Sequence, residues 1–225
     1  MKSRKCKSVS NAKCVAAVRA LTCVLASAVS GLTVSAIASE VDERALYELA
    51  PENSAFVRLI NLTDQKQSLR LNEIELSVDG YCSASSYKPI GAGAYPASLV
   101  GGGQQTASVV AENLAYSFVV DQAGVTVFVD KVIESPRKSL LSIYNFTSSD
   151  DLSLKTSDGK FSVFSALNRG DYAYREINPI KVSFSVFSLE EKLMDVETTI
   201  FERGVVSSLL LCDDSDSLAS TWARQ

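Results

Sequence analysis

Histidine is absent from all 225 residues. Without an imidazole the chain cannot build a Ser-His-Asp or Cys-His catalytic arrangement, nor a histidine metal site. Cysteine is scarce as well: of five, only Cys82 and Cys212 lie beyond residue 38, too few for a four-thiolate zinc site. There is no G-x-S-x-G nucleophile elbow. The glycine-rich VGGGQQTAS (100–108) lacks the Lys-Ser/Thr pair and the following helix of a phosphate loop, so it reads as a hairpin tip. DDSDS (213–217) lacks the Gly and the closing Glu of an EF-hand. No metal and no cofactor is expected. Helical periodicity is nearly missing after residue 38, and no stretch there is apolar over a membrane-spanning length.

Acidic residues are missing from the first 39 positions, where Lys2, Arg4, Lys5, Lys7, Lys13 and Arg19 make a positive head. An apolar, small-residue run from Ala20 to Ile37 follows, and Ala36-Ile37-Ala38 is a small-x-small cleavage pattern. Residues 1–38 read as a secretory signal peptide, which places the remainder in the periplasm or another extracytoplasmic compartment. From residue 39 onward 16 basic residues face 26 acidic ones, a net charge of −10. Nucleic acid is a poor partner for such a surface, and any polyanion needs a local basic patch. In an oxidising compartment Cys82 and Cys212 are either a disulfide or two buried thiols, and sequence does not choose between them.

What remains is a succession of short alternating runs with turn signals between them. Examples are Phe56–Ile60, Ile74–Val78, Ala115–Val120, Val125–Val129, Leu140–Tyr144 and IKVSFSVF (180–187). In the last of these, Ile180, Val182, Phe184 and Val186 should face a core and Lys181, Ser183 and Ser185 the solvent. The pattern occurs twice. AFVRLINLTD (55–64) is echoed by SLLSIYNFTSSD (139–150), with Asn61 and Asn145 in matching places. Asp79-Gly80 is echoed by Asp158-Gly159, and AENLAYSFVV (111–120) by FERGVVSSLLL (201–211). The polar DKVIESPRKS (130–139) reads as a linker. The expected fold is all-β, with two tandem antiparallel β-sandwich domains at 39–133 and 134–225. Both N-x-T triplets match a glycosylation acceptor, but an Asn that bonds its own chain at a strand end accounts for the repetition better.

Paired carboxylates at Asp150-Asp151, Glu190-Glu191 and Asp213-Asp214-Asp216 sit in polar runs and read as solvated turns, not as a glycosidase pair. YREINPIKV (174–182) is denser than a loop requires. Pro179 fixes the backbone, and Arg175, Glu176, Asn178 and Lys181 surround Ile177 and Ile180, a rigid edge suited to docking a carboxylate or a protein. Its bland alternative is a strand entry whose polar groups serve the local backbone.

ALYELAP (45–51), FVRLIN (56–61), REINPIKVSFSVF (175–187), ERG (202–204) and the late Trp222 resemble the AlgF family of alginate biosynthesis. The first domain departs from the family at DGYCSASSY (79–87) and VGGGQQ (100–105). The resemblance implies a periplasmic two-domain β-sandwich adaptor needed for O-acetylation of alginate. It implies no catalysis of its own, and partners in AlgJ- and AlgX-like periplasmic acetyltransferases and the membrane acetylation machinery. On this reading Arg175, Glu176, Asn178 and Lys181 are partner contacts, with Tyr47 and Arg58 added from the family match alone. The competing reading is a carbohydrate-binding module that holds the polymer through Tyr81, Tyr87, Tyr95, Tyr172 and Tyr174.

Overall fold

A computed structural model describes residues 53–101, 105–215 and 217–225, with the backbone alone at 105–109. Tyr47 and the signal segment 1–38 lie outside the described residues. All regular structure described is β, in seventeen strands and four sheets. In the first half, β1 (Ala55–Asn61) has β4 (Ser83–Ala84) and β5 (Lys88–Ile90) on one side. On its other side come β8 (Ala115–Asp121) and then β9 (Gly124–Asp130). An outer sheet runs β3-β2-β6-β7, from β2 (Gln67–Leu71), β3 (Ile74–Val78), β6 (Gly93–Leu99) and β7 (Gln105–Val110).

The second half repeats this plan. Its inner sheet runs β13-β10-β16-β17, from β10 (Ser139–Asn145), β13 (Tyr172–Ile177), β16 (Val206–Asp214) and β17 (Ser217–Arg224). Its outer sheet runs β12-β11-β14-β15, from β11 (Leu152–Thr156), β12 (Ser162–Leu167), β14 (Lys181–Ser188) and β15 (Glu191–Ile200). Among the described residues no ladder joins a strand before residue 131 to one after 138.

One ladder in each half departs from the antiparallel expectation. β1 runs parallel to β8, and β10 parallel to β16. The cause is double burial. Val57 and Leu59 point into the first core with Leu69, Leu71 and Leu76, while Ile60 points the other way into a third core shared with Tyr144 and Leu210. Strands covered on both faces become continuous apolar runs and tolerate parallel neighbours, with the outer sheet forming the long crossover between them. Each fully buried Leu or Ile here contributes roughly 1.5–3 kcal/mol. The inner sheets therefore pack on each other along a seam, and each also packs on its own outer sheet.

The Asn-x-Thr echo is structural. Asn61 Nδ2 donates to Gln65 O and Gly80 O, both at 2.8 Å, and its Oδ1 accepts from Thr63 N at 2.9 Å and Thr63 Oγ1 at 2.8 Å. Asn145 does the same with Ser149 O, Leu167 O, Thr147 N and Thr147 Oγ1. Both are fully buried with every amide valence used, which leaves no free nitrogen for a glycan. The Asp-Gly echo is not equivalent. Asp158-Gly159 turns β11 into β12, whereas the β2–β3 turn is Asn72-Glu73, with Asn72 at φ 53°, and Asp79-Gly80 follows β3. In β14, Phe184 and Val186 join the second core as expected, with Val182 packed against it. Ile180 precedes the strand and is 54% exposed.

Candidate functional site

Two groups of polar residues stand out, one buried and one exposed. The buried one begins at Arg58, flanked by apolar residues in the middle of β1, on its seam-facing side and fully buried. Burial of a guanidinium demands a counter-charge. Asp130, the last residue of β9, supplies it at 3.9 Å. Arg58 Nε donates to Ser117 Oγ at 2.7 Å and Nη2 to Tyr144 OH at 2.9 Å. Asp130 accepts from Ser117 Oγ and Tyr87 OH, each at 2.5 Å, and from Tyr144 OH. The Tyr87 ring lies 4.5 Å from the Arg58 carbon, a cation–π contact. Tyr172, its ring tilted against Tyr144 with centres 4.7 Å apart, accepts the Lys131 backbone N–H at 2.8 Å. Arg58 was expected to touch a partner. Its burial corrects that: the side chain is closed to solvent and reaches across to Tyr144 of the second half.

Burial opposes the charge on Arg58, but Tyr87, Tyr144 and Asp130 outweigh it and lift its pKa above the ordinary arginine value. Burial likewise pushes the Tyr87, Tyr144 and Tyr172 phenols well above the usual range, with the Asp130 charge adding to it. The folded chain thus keeps three phenols protonated at a pH where an unfolded chain ionises them. Their contribution to stability is complete below about pH 10 and erodes as pH rises past it. In an alkaline titration, phenolate absorbance from these three is expected only together with loss of fold. Replacing all three by Phe should shrink that joint step; early, reversible ionisation of all tyrosines would contradict it.

The exposed group is the strip at the end of β13. Alternation along the strand sends Arg175 and Glu176 to opposite faces. Arg175 lies over Phe164, 6.0 Å from its ring centre, while Glu176 accepts the Glu134 N–H at 3.1 Å. Asn178 accepts from Lys138 Nζ at 2.6 Å, and Lys181 opens β14 opposite Ile200. All four predicted residues are exposed. Asn178 and Lys181 lie at one end of the second half with Ile180 and Ile200, both about half exposed.

The sequence matches the family model for AlgF, "Alginate O-acetyl transferase AlgF", over residues 28–208. The chain belongs to the AlgF family. It is 31% identical over 204 residues to the alginate biosynthesis protein AlgF of Pseudomonas aeruginosa, covering 89% of this chain and 92% of that one. It is 32% identical over 185 residues to AlgF of Azotobacter vinelandii, covering 81% and 83%. A solved structure of the C-terminal domain of AlgF from P. aeruginosa is 32% identical and covers 40% of this chain and 99% of its own, with a TM-score of 0.36.

In this member of the family the five tyrosines considered for sugar stacking do not form one exposed platform, although the Tyr172 and Tyr174 rings adjoin with centres 5.9 Å apart. Tyr87 and Tyr172 belong to the seam, and Tyr95 OH bonds Gly91 O at 2.9 Å. Only Tyr81, at 37%, and Tyr174, at 50%, are exposed by more than a third. The two cysteines that sequence left unassigned are joined, with an S–S bond of 2.04 Å and Cα atoms 6.1 Å apart. They tie β16 to the turn before β4 across the seam. The missed residues were Ser117, Asp130 and Tyr144. Their one sequence signal was Arg58 itself, since a charge inside FVRLI needs a buried partner, and VTVFVD offers an acid at the end of another apolar strand.

Proposed function

We propose that this chain serves alginate O-acetylation as a non-catalytic periplasmic adaptor that binds AlgJ- and AlgX-like acetyltransferases. The observation that carries this reading is the chemistry the chain lacks. It has no histidine, and both oxygens of its buried carboxylate, Asp130, are occupied by seam hydroxyls. The Ser117–Asp130 pair has no access for a substrate, because both are buried. The exposed strip fits protein docking. Ile180 and Ile200 supply an apolar anchor, Asn178 and Lys181 supply polar specificity beside it, and Arg175 and Glu176 extend the contact along the two faces of β13.

The test is a binding titration of the purified mature chain against a periplasmic acetyltransferase. The R175A/K181A variant is expected to bind about tenfold more weakly, roughly 1.4 kcal/mol. Unchanged affinity would remove the strip. Turnover of an acetyl-ester reporter by the isolated chain would remove the adaptor reading altogether. The partial burial of most of these tyrosines and the net charge of −10 argue against the polymer-holding module, so alginate oligomers should not bind saturably at physiological salt.

A further inference from the structure

The two halves meet with two-fold regularity. The β4 side of the first half lies against β16 and β17, through Cys82–Cys212 and Tyr87 N to Gln225 Oε1. The β9 side lies against β10 and β13, through Asp130–Tyr144, Phe128–Tyr144 and Lys131–Tyr172. Strand register then pairs positions between halves. Asp121 at the end of β8 corresponds to Cys212 at the same step of β16. Gly170 before β13 corresponds to Cys82 before β4. Both of the latter have left-handed backbone, φ 80° and 52°.

The disulfide therefore has a counterpart, and the counterpart is open. Asp121 and Gly170 border a groove of about 260 Å³, floored by Leu62, Val119, Phe128 and Phe146, with Thr126 exposed on its wall. What closes the seam on one side is missing on the other. The surrounding end of the molecule is strongly acidic. Asp64, Asp121, Asp150, Asp151, Asp213 and Asp214 all lie at the ends of β1, β8, β10 and β16 or in the turns that follow. The cations closest to the groove among the described residues include Lys66, paired with Asp79 at 3.2 Å, and Arg169, which lines the groove and whose backbone N–H, not its guanidinium, donates to Asp150. Tyr81 on the disulfide side feels this field. Its phenol pKa is raised by partial burial, then by Asp213, Asp64 and Asp214.

We propose that this acidic, groove-bearing pole is a second docking site, for a basic polypeptide segment whose apolar side chain fills the groove. The inference rests on the adaptor reading and gives the adaptor its other hand, opposite in place and charge to the Asn178–Lys181 end. Charge complementarity decides the class of occupant. A ring of aspartates attracts lysine and arginine and repels a polyuronate, and the apolar floor favours a side chain over a sugar hydroxyl.

The test uses the mature chain and short synthetic peptides alternating lysine or glutamate with phenylalanine. The lysine peptide should bind saturably and more weakly as salt rises; the glutamate peptide and alginate oligomers should not bind. Thr126→Trp, which fills the groove from an exposed position, should weaken the lysine peptide about tenfold, and so should D64N/D151N/D214N, with a flatter salt dependence. The R175A/K181A variant at the opposite end should leave it unchanged. Binding insensitive to both pole variants, or equal binding of the glutamate peptide, would overturn the proposal. If Thr126→Trp melts early, the isosteric charge variant decides alone. Failure of the adaptor reading is read separately, as the absence of any complex with an acetyltransferase, and does not alter the peptide result.

Discussion

Replacing Cys82 and Cys212 together by alanine is expected to lower the stability of the folded chain by about 5 kcal/mol, the loss that the chain-entropy account assigns to so long a loop. The two residues are 130 positions apart in sequence, so in the unfolded chain the crosslink removes nearly all large-scale freedom of the second half relative to the first. Both side chains are buried in the third core with Ile60, Val119, Tyr144 and Leu210, so the substitution also opens a small void there. Cys82 holds φ 52° whichever of the two residues is present, and backbone strain cancels from the comparison. Denaturant unfolding with and without reductant measures the effect. Reduced wild type should approach the double variant, and the variant should ignore reductant. A difference below about 1 kcal/mol would mean that inner-sheet packing alone holds the seam, against the loop-entropy estimate.

Much of this architecture was legible in the sequence, for an identifiable reason. Strands with one wet face announce themselves by alternation, and Ile74–Val78 matches β3 residue for residue. The repeat was legible because both halves need the same Asn to close the same strand end. Edge strands were harder. β15 (EKLMDVETTI) and β17 (SLASTWAR) carry charges and hydroxyls with little contrast between faces, because an edge strand gains solubility from polar side chains. The parallel ladders were invisible, since alternation reports burial of a face and not the direction of a neighbour. The polar strip at 175–181 was found as a cluster of residue types, but period-two geometry separates Arg175 from Glu176, which linear density does not reveal. The seam was illegible for a deeper reason: its residues come from β1, the loop before β5, β8, β9, β10 and β13, and their meeting is a property of the packed pair of sheets.

Arg58→Ala is the second large effect expected, a loss of about 3–5 kcal/mol, because it leaves the Asp130 carboxylate buried without its cation. The seam's two-fold pattern explains why the pair is placed as it is. The positions equivalent to Arg58, Ser117 and Asp130 are Ser142, Ser208 and Gln225. There the same geometry is met by a neutral hydroxyl pair at 2.8 Å and a C-terminal amide side chain. Charge thus sits on one side of the seam only, and an exchange of partners between the two sides would strand Arg58 against a serine. A double-mutant cycle with Arg58→Met and Asp130→Asn should show a coupling of about 0.5–3 kcal/mol between the two positions. Tyr144→Phe, which removes the hydroxyl bonded to both, should cost about 1–3 kcal/mol. Arg58→Ala within about 1 kcal/mol of wild type, or additive losses in the cycle, would show that aromatic packing of Phe128 against Tyr144 and Phe146 holds the halves together and that the charges are incidental.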